Sequence, residues 1–299
     1  MSCLIKASAL NKRFGEKQAL ADVNFEIHAG APVALVGPNG AGKTTLFSIL
    51  CGYIKPSSGQ VSVLGVTPGK SETFGRLAAL PQDAQLDPRF SVLHQLKFYA
   101  RLQGFGRKES QYEAERTIDL VGMSASLHQK PDGLSHGMRK RVTIAQALIG
   151  SPEIVMLDEA TAGLDPLHAR EVRELVASLS GETTFILSSH DLSELERLCG
   201  QVLYLEQGKL KEHHTNSLQE QFRYFTLRME QQVPELIEVL TSRDYVVEVL
   251  NSQDKEYQIK VSGESADLAP DIEILTLCHQ KNWRYRQLVN GKTLENQLF

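Results

Sequence analysis

The sequence predicts an α/β fold built on a parallel sheet, followed by a small α+β domain. Strand-like apolar runs alternate along the chain with stretches of helical periodicity. The runs at 32–36 and 154–157 are apolar throughout, as expected of strands covered on both faces. Near residue 215 a polar stretch interrupts this pattern, and a different order of elements follows. We therefore expect two domains, 1–214 and 215–299.

The first part of the chain is expected to contain strands on either side of one helix. Residues 1–30 fit short strands and turns, because a brief alternation is interrupted by Ala-Gly. A strand is predicted at 32–36, and a helix from near Gly42 that ends with Gly52 as its C-cap. Another strand is predicted at 60–65.

The middle of the chain combines helices with further strands. Residues from about 88 to 150 have helical apolar spacing, with a second helix over 108–121. The next predicted helix is marked by a proline at its first position, Pro166, and by a glycine after its last residue, Gly181. The later predictions are a strand at 154–157, a helix from Pro166 to a stop at Gly181, a strand at 183–188, and a hairpin over 201–211.

The end of the chain predicts a separate small domain. The polar stretch 213–217 contains His213 and His214, which fit either a solvated linker or a metal site. The lack of a nearby acidic or cysteine cluster favours the linker. Beyond it, the order β-α-β-β-α-β resembles a ferredoxin-like domain. Its predicted elements are strands at 225–229, 245–250, 257–261 and 285–289, and helices at 233–240 and 272–278.

Composition limits the classes of function. The 299 residues are 41% hydrophobic and 23% charged, as in an ordinary globular protein. A net charge of −4 gives no case for a nucleic-acid partner. The four cysteines form no CxxC pair, which predicts reduced thiols in a cytosolic protein and no zinc site. The first residues do not fit a signal peptide, and no apolar run approaches the ~20 residues that span a bilayer. Any membrane span is therefore expected on another chain.

The most informative motif lies between the strand at 32–36 and the first helix. It fits G-x-x-x-x-G-K-[ST], whose backbone N–H groups and helix N-terminus surround a triphosphate. The lysine side chain can reach the β- and γ-phosphates, and the threonine hydroxyl can ligate Mg²⁺. We therefore predict bound ATP and Mg²⁺ at Gly37, Pro38, Asn39, Gly40, Ala41, Gly42, Lys43, Thr44 and Thr45.

Two acidic residues follow the apolar strand at 154–157. In a parallel sheet the carboxyl end of this strand lies at the edge where ligands bind. Asp158 is suited to Mg²⁺ coordination, and Glu159 to polarising the attacking water. They could instead be two solvated acids, but the phosphate-binding motif upstream favours the site.

Several further segments resemble the motifs of ATP-binding cassette (ABC) ATPases, in the family order. The resemblance covers residues from about 4 to 212 and implies a cassette: a mixed sheet, an antiparallel β subdomain, and a helical subdomain at about 83–150. The matching segments are Leu80-Pro81-Gln82 (Q-loop), Leu134-Ser135-His136-Gly137-Met138 (signature), Asp158–Pro166 (Walker B and D-loop) and Ser188-Ser189-His190-Asp191 (switch histidine).

The signature segment implies that ATP joins two protomers. Ser135 fits the N-cap of a helix, and a helix N-terminus favours anions. By resemblance, Ser135 and Gly137 contact the γ-phosphate held by a second ATPase protomer, here predicted as a homodimer. Asp165 lines the protomer interface. The segment departs from the family pattern at His136 and Met138, where glycine and glutamine are usual.

Three more residues take roles from the resemblance. His190 contacts the γ-phosphate, and Gln82 reaches Mg²⁺ or the attacking water and can relay nucleotide state to a partner. Phe14 matches the aromatic that stacks on adenine, although a core position in the first hairpin is the alternative. Without the other motifs, His190 would fit a structural role, and Gln82 would fit an ordinary exposed loop residue.

The same resemblance suggests a biological role. A single cassette with a C-terminal appendage and a "Leu-Glu…Phe" ending over 293–299 resembles the ATPase subunits of ABC-2-type exporters. This implies a separate integral membrane permease and a place at the inner face of the membrane. The alternatives are a soluble ABC ATPase of another assembly, or a regulatory module without turnover. Residues that could either contact the permease or pack the helical subdomain are Phe90, Leu93, Leu96, Phe98 and Tyr99.

Overall fold

The computed structural model describes residues 2–190, 195, 198–214, 222–243, 246–253, 255–262 and 270–290. The chain separates into two compact units, Met1–His213 and His214–Phe299. No helix among the described residues has the length and apolar character needed to cross a bilayer.

The first unit begins with a long antiparallel hairpin. Strand β1 (Cys3–Phe14) pairs with β2 (Lys17–His28), so the short strands expected over 1–30 are wrong. The pairing register shifts between Ala7 and Leu10, and Ala9 has a φ of 47°. Such bulges break the alternation of apolar residues, which is why the sequence pattern concealed one continuous strand.

The phosphate-binding motif lies between the next two elements, β3 (Val33–Val36) and α1 (Lys43–Leu50). Strand β4 (Ser58–Val63) then joins the hairpin in a sheet of order β2-β1-β4. The strands predicted at 32–36 and 60–65 and the helix between them are confirmed, but the C-cap of α1 is Cys51 and not Gly52. The apolar side chains of α1 belong to one buried cluster with residues of both sheets of this unit. This packing fixes the start of α1, and therefore the loop before it.

Strand β5 (Leu77–Leu80) was not predicted from the sequence. Its two central residues are alanines, which have low strand propensity, so no strand signal stands out. Three helices follow: α2 (Val92–Leu102), α3 (Arg107–Leu120) and α4 (His136–Ala147). They contact one another, and they confirm the helical character expected for this part of the chain.

The central sheet is completed by four more strands and one helix. These are β6 (Ile154–Leu157), α5 (Pro166–Leu179), β7 (Thr184–Ser189), β8 (Gln201–Glu206) and β9 (Lys209–His214). The strand order is β5-β6-β7-β3-β8-β9, and the pairs from β5 to β8 are parallel. The carboxyl ends of β3, β5, β6 and β7 therefore meet at one edge, where the predicted site residues follow them.

The second unit has the predicted order β-α-β-β-α-β. Its elements are β10 (Phe222–Met229), α6 (Glu235–Thr241), β11 (Val246–Gln253), β12 (Glu256–Ser262), α7 (Pro270–Gln280) and β13 (Tyr285–Asn290). They form an antiparallel sheet of order β11-β12-β10-β13, consistent with a ferredoxin-like arrangement. A separate apolar core lies within this unit.

Of the expected linker over 213–217, the structure describes only His213 and His214. Strand β9 continues to His214, so placing His213 and His214 in a linker is wrong. The last three residues of β9 are polar, so no apolar alternation in the sequence marks the end of the strand. Residues 215–217, Asp191 and the ending 293–299 lie outside the described residues.

Candidate functional site

The phosphate-binding loop, residues 37–45, is held between backbone segments from distant parts of the sequence. Gly42 precedes α1 and has a φ of 114°. A Cβ built on Gly42 would lie 2.6 Å from the carbonyl oxygen of Ala19, so this position requires glycine for both conformation and space. The carbonyl of Ala41 accepts a hydrogen bond of 3.1 Å from the backbone N–H of Gly208. The loop is thus anchored to β2 and to the turn after β8.

Lys43 brings its charge into the centre of this loop. The side chain is buried, and Nζ donates to the carbonyl oxygens of Gly37 at 2.6 Å and Pro38 at 3.3 Å. Burial lowers the pKa of the Lys43 ammonium, while the nearby charges of Glu159 and Asp158 act in the opposite direction. The loop therefore directs a cation towards the position where the motif places phosphates.

Oxygen atoms suitable for Mg²⁺ converge beside the loop. Thr44 Oγ1 lies 3.5 Å from Oδ2 of Asp158, a buried carboxylate that also accepts a hydrogen bond from the Ser188 hydroxyl. Within the part of the chain that the structure describes, no three histidine, cysteine or acidic side chains could hold a metal by themselves. A hydroxyl and one carboxylate fit Mg²⁺ shared with phosphate oxygens, which is the usual arrangement for this ion.

Glu159 has an unusual backbone conformation and several polar neighbours. Its φ of 46° lies in the left-handed region, which is costly for a residue with a side chain. The Glu159 N–H donates to Ser188 Oγ at 2.9 Å, and its carbonyl accepts from the N–H of Ala162 at 3.0 Å. Its carboxylate accepts a hydrogen bond of 3.3 Å from Gln82 Nε2 and lies 3.6 Å from His190 Nδ1. The turn after β6 therefore orients this carboxylate between the two side chains.

The predicted signature segment forms the start of α4. Ser135 is the N-cap, and its hydroxyl accepts a hydrogen bond of 3.2 Å from the N–H of Met138, which confirms the predicted cap. Gly137 is buried in the first turn, whereas Ser135 and His136 are exposed. The exposed hydroxyl at a helix N-terminus has the character of an anion site.

Asp165 occupies the equivalent position on α5. Its Oδ1 accepts hydrogen bonds from the N–H groups of Leu167 at 3.1 Å and His168 at 3.2 Å. Its Oδ2 lies 2.5 Å from Nδ1 of the His168 ring. The hydrogen bond to the His168 side chain is the main cause that holds the pKa of Asp165 below its usual value.

Phe14 lies at the end of β1, next to the hairpin turn. Its ring is 51% exposed, so the alternative of a core position in the hairpin is wrong. Lys12 Nζ lies over this ring at 4.9 Å from the centroid. An exposed aromatic face on the first hairpin remains available for stacking.

Apart from Phe14 on the first hairpin and the other residues of the loop at 37–45, the predicted site residues fall into two groups. One group lies at the carboxyl edge of the central sheet and contains Gln82, Lys43, Thr44, Asp158, Glu159 and His190. The other lies at the N-termini of α4 and α5 and contains Ser135, Gly137 and Asp165. Ser188 and His168 were missed as site residues. Ser188 belongs to the segment that contains the switch histidine, and His168 stands three residues after Asp165. The signal for both residues is therefore their position in or beside a recognised motif.

Comparisons with known proteins agree with this fold. A family model described as ABC transporter matches residues 20–162. The bacitracin transport ATP-binding protein BcrA of Bacillus licheniformis is 34% identical over 216 residues, covering 71% of this chain and 70% of that protein. The linearmycin resistance ATP-binding protein LnrL of Bacillus subtilis is 31% identical, covering 69% and 68%. Nod factor export ATP-binding protein I of Rhizobium etli is 33% identical, covering 69% and 66%.

Solved structures show the same cassette. The protein cbiO1 from Clostridium perfringens, part of an ABC transporter complex, is 26% identical with a TM-score of 0.67, covering 73% of this chain and 91% of that one. A dimeric ATP-binding cassette bound to ADP and phosphate is 23% identical with a TM-score of 0.63, covering 72% and 100%, and supports the fold alone. The fold is that of an ABC-type ATPase. This chain belongs to the ABC transporter family, as an ATP-binding protein related to exporter ATPases.

Proposed function

We propose that this chain is the ATP-hydrolysing subunit of an ABC-2-type exporter, working at the inner face of the cell membrane with a separate integral membrane permease. The relatives are named for export, transport and antibiotic resistance, which favours this role over a soluble non-transport assembly. In this proposal residues 1–214 form the nucleotide-binding domain, with a helical subdomain at about 83–150, and 215–299 an accessory domain.

The loop at 37–45 is proposed to hold the triphosphate of ATP. Its N–H groups, the α1 N-terminus and the Lys43 ammonium together neutralise the phosphates. Phe14 offers its exposed ring to the adenine. Thr44, Asp158 and Gln82 would hold Mg²⁺, which supplies charge neutralisation on the phosphates when it is bound.

The proposed reaction is attack of water on the γ-phosphate, with Glu159 as the base. The Glu159 carboxylate is 12% exposed and points towards Gln82 and His190. A water held beside these two side chains would be polarised by the Glu159 carboxylate. His190 can donate to the γ-phosphate as charge develops there. Ser188 keeps Asp158 and Glu159 in their positions through hydrogen bonds to both.

The proposed working unit is a homodimer closed around two ATP molecules. Ser135 and Gly137 present a hydroxyl and a helix N-terminus outward on α4, suited to the γ-phosphate held by the second protomer. Asp165, at the N-terminus of α5, is proposed to line the same interface. ATP binding would close the dimer, and hydrolysis would release it.

The proposed contact with the permease lies on the helical subdomain. A pocket of about 400 Å³ begins at Gln82 and is lined by Gln85, Leu86 and Arg139, among others. Of the apolar residues considered from the sequence, Leu96 is buried, whereas Phe90 and Phe98 are 40% and 53% exposed. Leu96 therefore packs inside the helical subdomain. The exposed side chains of Phe90 and Phe98 are available to a partner.

The observation that carries the proposal is the placement of Glu159 between Gln82 and His190, next to the phosphate-binding loop. Changing Glu159 to Gln removes the base but keeps a side chain of the same size. We expect turnover to fall by at least about a hundredfold. The variant should form an ATP-bound dimer, detected by size-exclusion chromatography with light scattering.

The control for this experiment is Glu182→Gln, an exposed residue before β7 that should leave turnover unchanged. Unchanged turnover in Glu159→Gln would remove Glu159 from the base role. Co-purification of the intact chain from native membranes tests the transporter role separately. Recovery with a soluble complex and without a membrane-spanning protein would favour the non-transport assembly.

A further inference from the structure

The N-termini of α4 and α5 are joined by one histidine side chain. His168, in the first turn of α5, has its Nδ1 2.5 Å from Oδ2 of Asp165. The other edge of the same ring faces α4. A Cβ built on Gly137 would lie 2.6 Å from Cδ2 of His168, 2.9 Å from Cγ and 3.2 Å from Cβ, so the imidazole rests directly on the Gly137 backbone. We refer to this Asp165–His168–Gly137 arrangement as the His168 bridge.

Two further contacts show that this packing is not confined to one ring. A Cβ built on Gly163 would lie 3.7 Å from Cε1 of His136, an ordinary van der Waals separation. Deeper along the helices, Arg141 of α4 donates to Glu171 of α5 at 2.7 Å. The first turns of the two helices are therefore close-packed, and the ion pair holds them together one turn further along.

The hydrogen bond fixes the orientation of the ring. The Asp165 carboxylate is already held by two backbone N–H groups through its other oxygen. The hydrogen bond to Asp165 and the close approach to Gly137 hold the imidazole between the two helix ends. Asp165, the imidazole of His168 and the Gly137 backbone therefore form one continuous series of contacts between the two helices.

We propose that His168 is a positioning residue that keeps Asp165 and the Ser135–Gly137 segment at a fixed separation, so that both meet the second protomer as one rigid surface. This inference rests on the proposed function, because it takes these residues as the dimer contact. His168 does not touch ATP in this proposal. It acts by removing the cost of ordering two helix ends when the dimer closes.

The experiment uses the full chain carrying Glu159→Gln, whose ATP-driven dimerisation gives a readout independent of hydrolysis. Adding His168→Ala should weaken dimerisation by about tenfold, the size typical of coupled contacts. Affinity of the monomer for a fluorescent ATP analogue should stay within about twofold, because the loop at 37–45 is untouched. A substitution that merely destabilised the fold would lower both the dimerisation and the affinity for the ATP analogue. The matched control is Arg170→Ala, an exposed α5 residue whose partner is Glu174 of the same helix.

Two conservative variants separate the parts of the bridge. His168→Asn keeps a donor close to the position of Nδ1 but removes the ring, whereas His168→Phe keeps the ring but removes the donor. We expect both to dimerise more strongly than His168→Ala and more weakly than the parent. Full dimerisation of either variant would overturn the two-sided role.

The failure of each hypothesis is distinguishable. If Glu159→Gln alone does not dimerise with ATP, the proposed function fails and the bridge has no interface to position. If Glu159→Gln dimerises and His168→Ala leaves that dimer unchanged, the bridge is wrong and the proposed function stands. Circular dichroism melting of each variant confirms that the folded state is compared.

Discussion

Ser188 connects the two acidic residues that follow β6. Its buried hydroxyl donates to the Asp158 carboxylate and accepts the Glu159 N–H at 2.9 Å. The hydrogen bond from the Glu159 N–H stabilises the backbone of Glu159, whose φ of 46° costs about 1–3 kcal/mol for a residue other than glycine. A side chain outside the acidic pair therefore determines where the proposed base points.

We expect Ser188→Ala to lower kcat by about tenfold or more, because Glu159 loses the acceptor that holds its turn. The affinity for ATP should change by less than about threefold, since the loop at 37–45 is unaffected. Steady-state ATPase assays with a nucleotide titration measure both. Thr184→Ala, which removes a buried hydroxyl at the other end of β7, should leave kcat unchanged. An equal loss in the two variants would contradict a specific role for Ser188.

Lys43 is the second residue whose environment leads to a direct test. Its buried ammonium donates only to loop carbonyls of Gly37 and Pro38 among the hydrogen bonds of the described structure. We expect Lys43→Ala to abolish nucleotide binding, measured by titration of a fluorescent ATP analogue. Lys6→Ala, which removes an exposed ion pair with Glu26, is the control and should bind as the parent does. Retained affinity in Lys43→Ala would refute the loop as the phosphate site.

At the scale of elements, α3 is fastened to the end of α4 by Glu113. Its carboxylate accepts from Arg116 at 2.8 Å and from the N–H of Gly150 at 3.0 Å, and Arg116 also donates to the carbonyl of Leu148. Burial raises the pKa of Glu113, but these hydrogen bonds outweigh it and hold the pKa below its usual value. The ionised carboxylate therefore stabilises the helical subdomain.

We expect Glu113→Ala to lower the free energy of unfolding by about 1–3 kcal/mol, because the guanidinium and the Gly150 N–H lose their acceptor. Since the folded-state pKa is depressed, the stabilisation is present above the unfolded pKa and is lost as pH falls through the folded pKa. The difference from the parent should therefore shrink as the pH falls below the unfolded-state pKa of this carboxyl group. Urea unfolding at several pH values measures it, with exposed Glu115→Ala as the control. A difference independent of pH would exclude the carboxylate as the cause.

The elements also show how far sequence reasoning reaches. The apolar runs at β3, β6 and β7 and the motif after β3 predicted the sheet and the edge where its site lies. Strand β5 was missed because its alanines carry little strand preference, and the length of β1 because bulges near Ala9 break the alternation. The left-handed Glu159 and its bond to Ser188 join residues 29 apart in sequence, and no local pattern encodes them.

At the scale of the whole molecule, two compact units each have their own apolar core. The cluster of the first unit joins its two sheets around α1, and that of the second unit lies between its sheet and helices. A unit with its own core is expected to fold without the other. The division between residues 213 and 214 supports the proposed domain boundary.

We expect a chain ending at residue 214 to fold and to bind ATP with an affinity within about threefold of the full chain. The residues around the phosphate-binding loop all belong to the first unit. Thermal melting establishes that the truncated chain is folded, and nucleotide titration measures binding. A folded truncation without affinity for ATP would show that the two-domain division is wrong.

The anchoring of the loop at Gly42 has a consequence for how ATP-binding free energy is used. This glycine is enclosed by the Ala19 carbonyl and the side chains of Leu20 and Leu205, and the adjacent Ala41 carbonyl is bonded to Gly208. These contacts hold the loop in shape, so the proposed binding of ATP at 37–45 would lose less entropy in ordering the loop. On that proposal, more of the ATP-binding free energy would be available to close the proposed dimer.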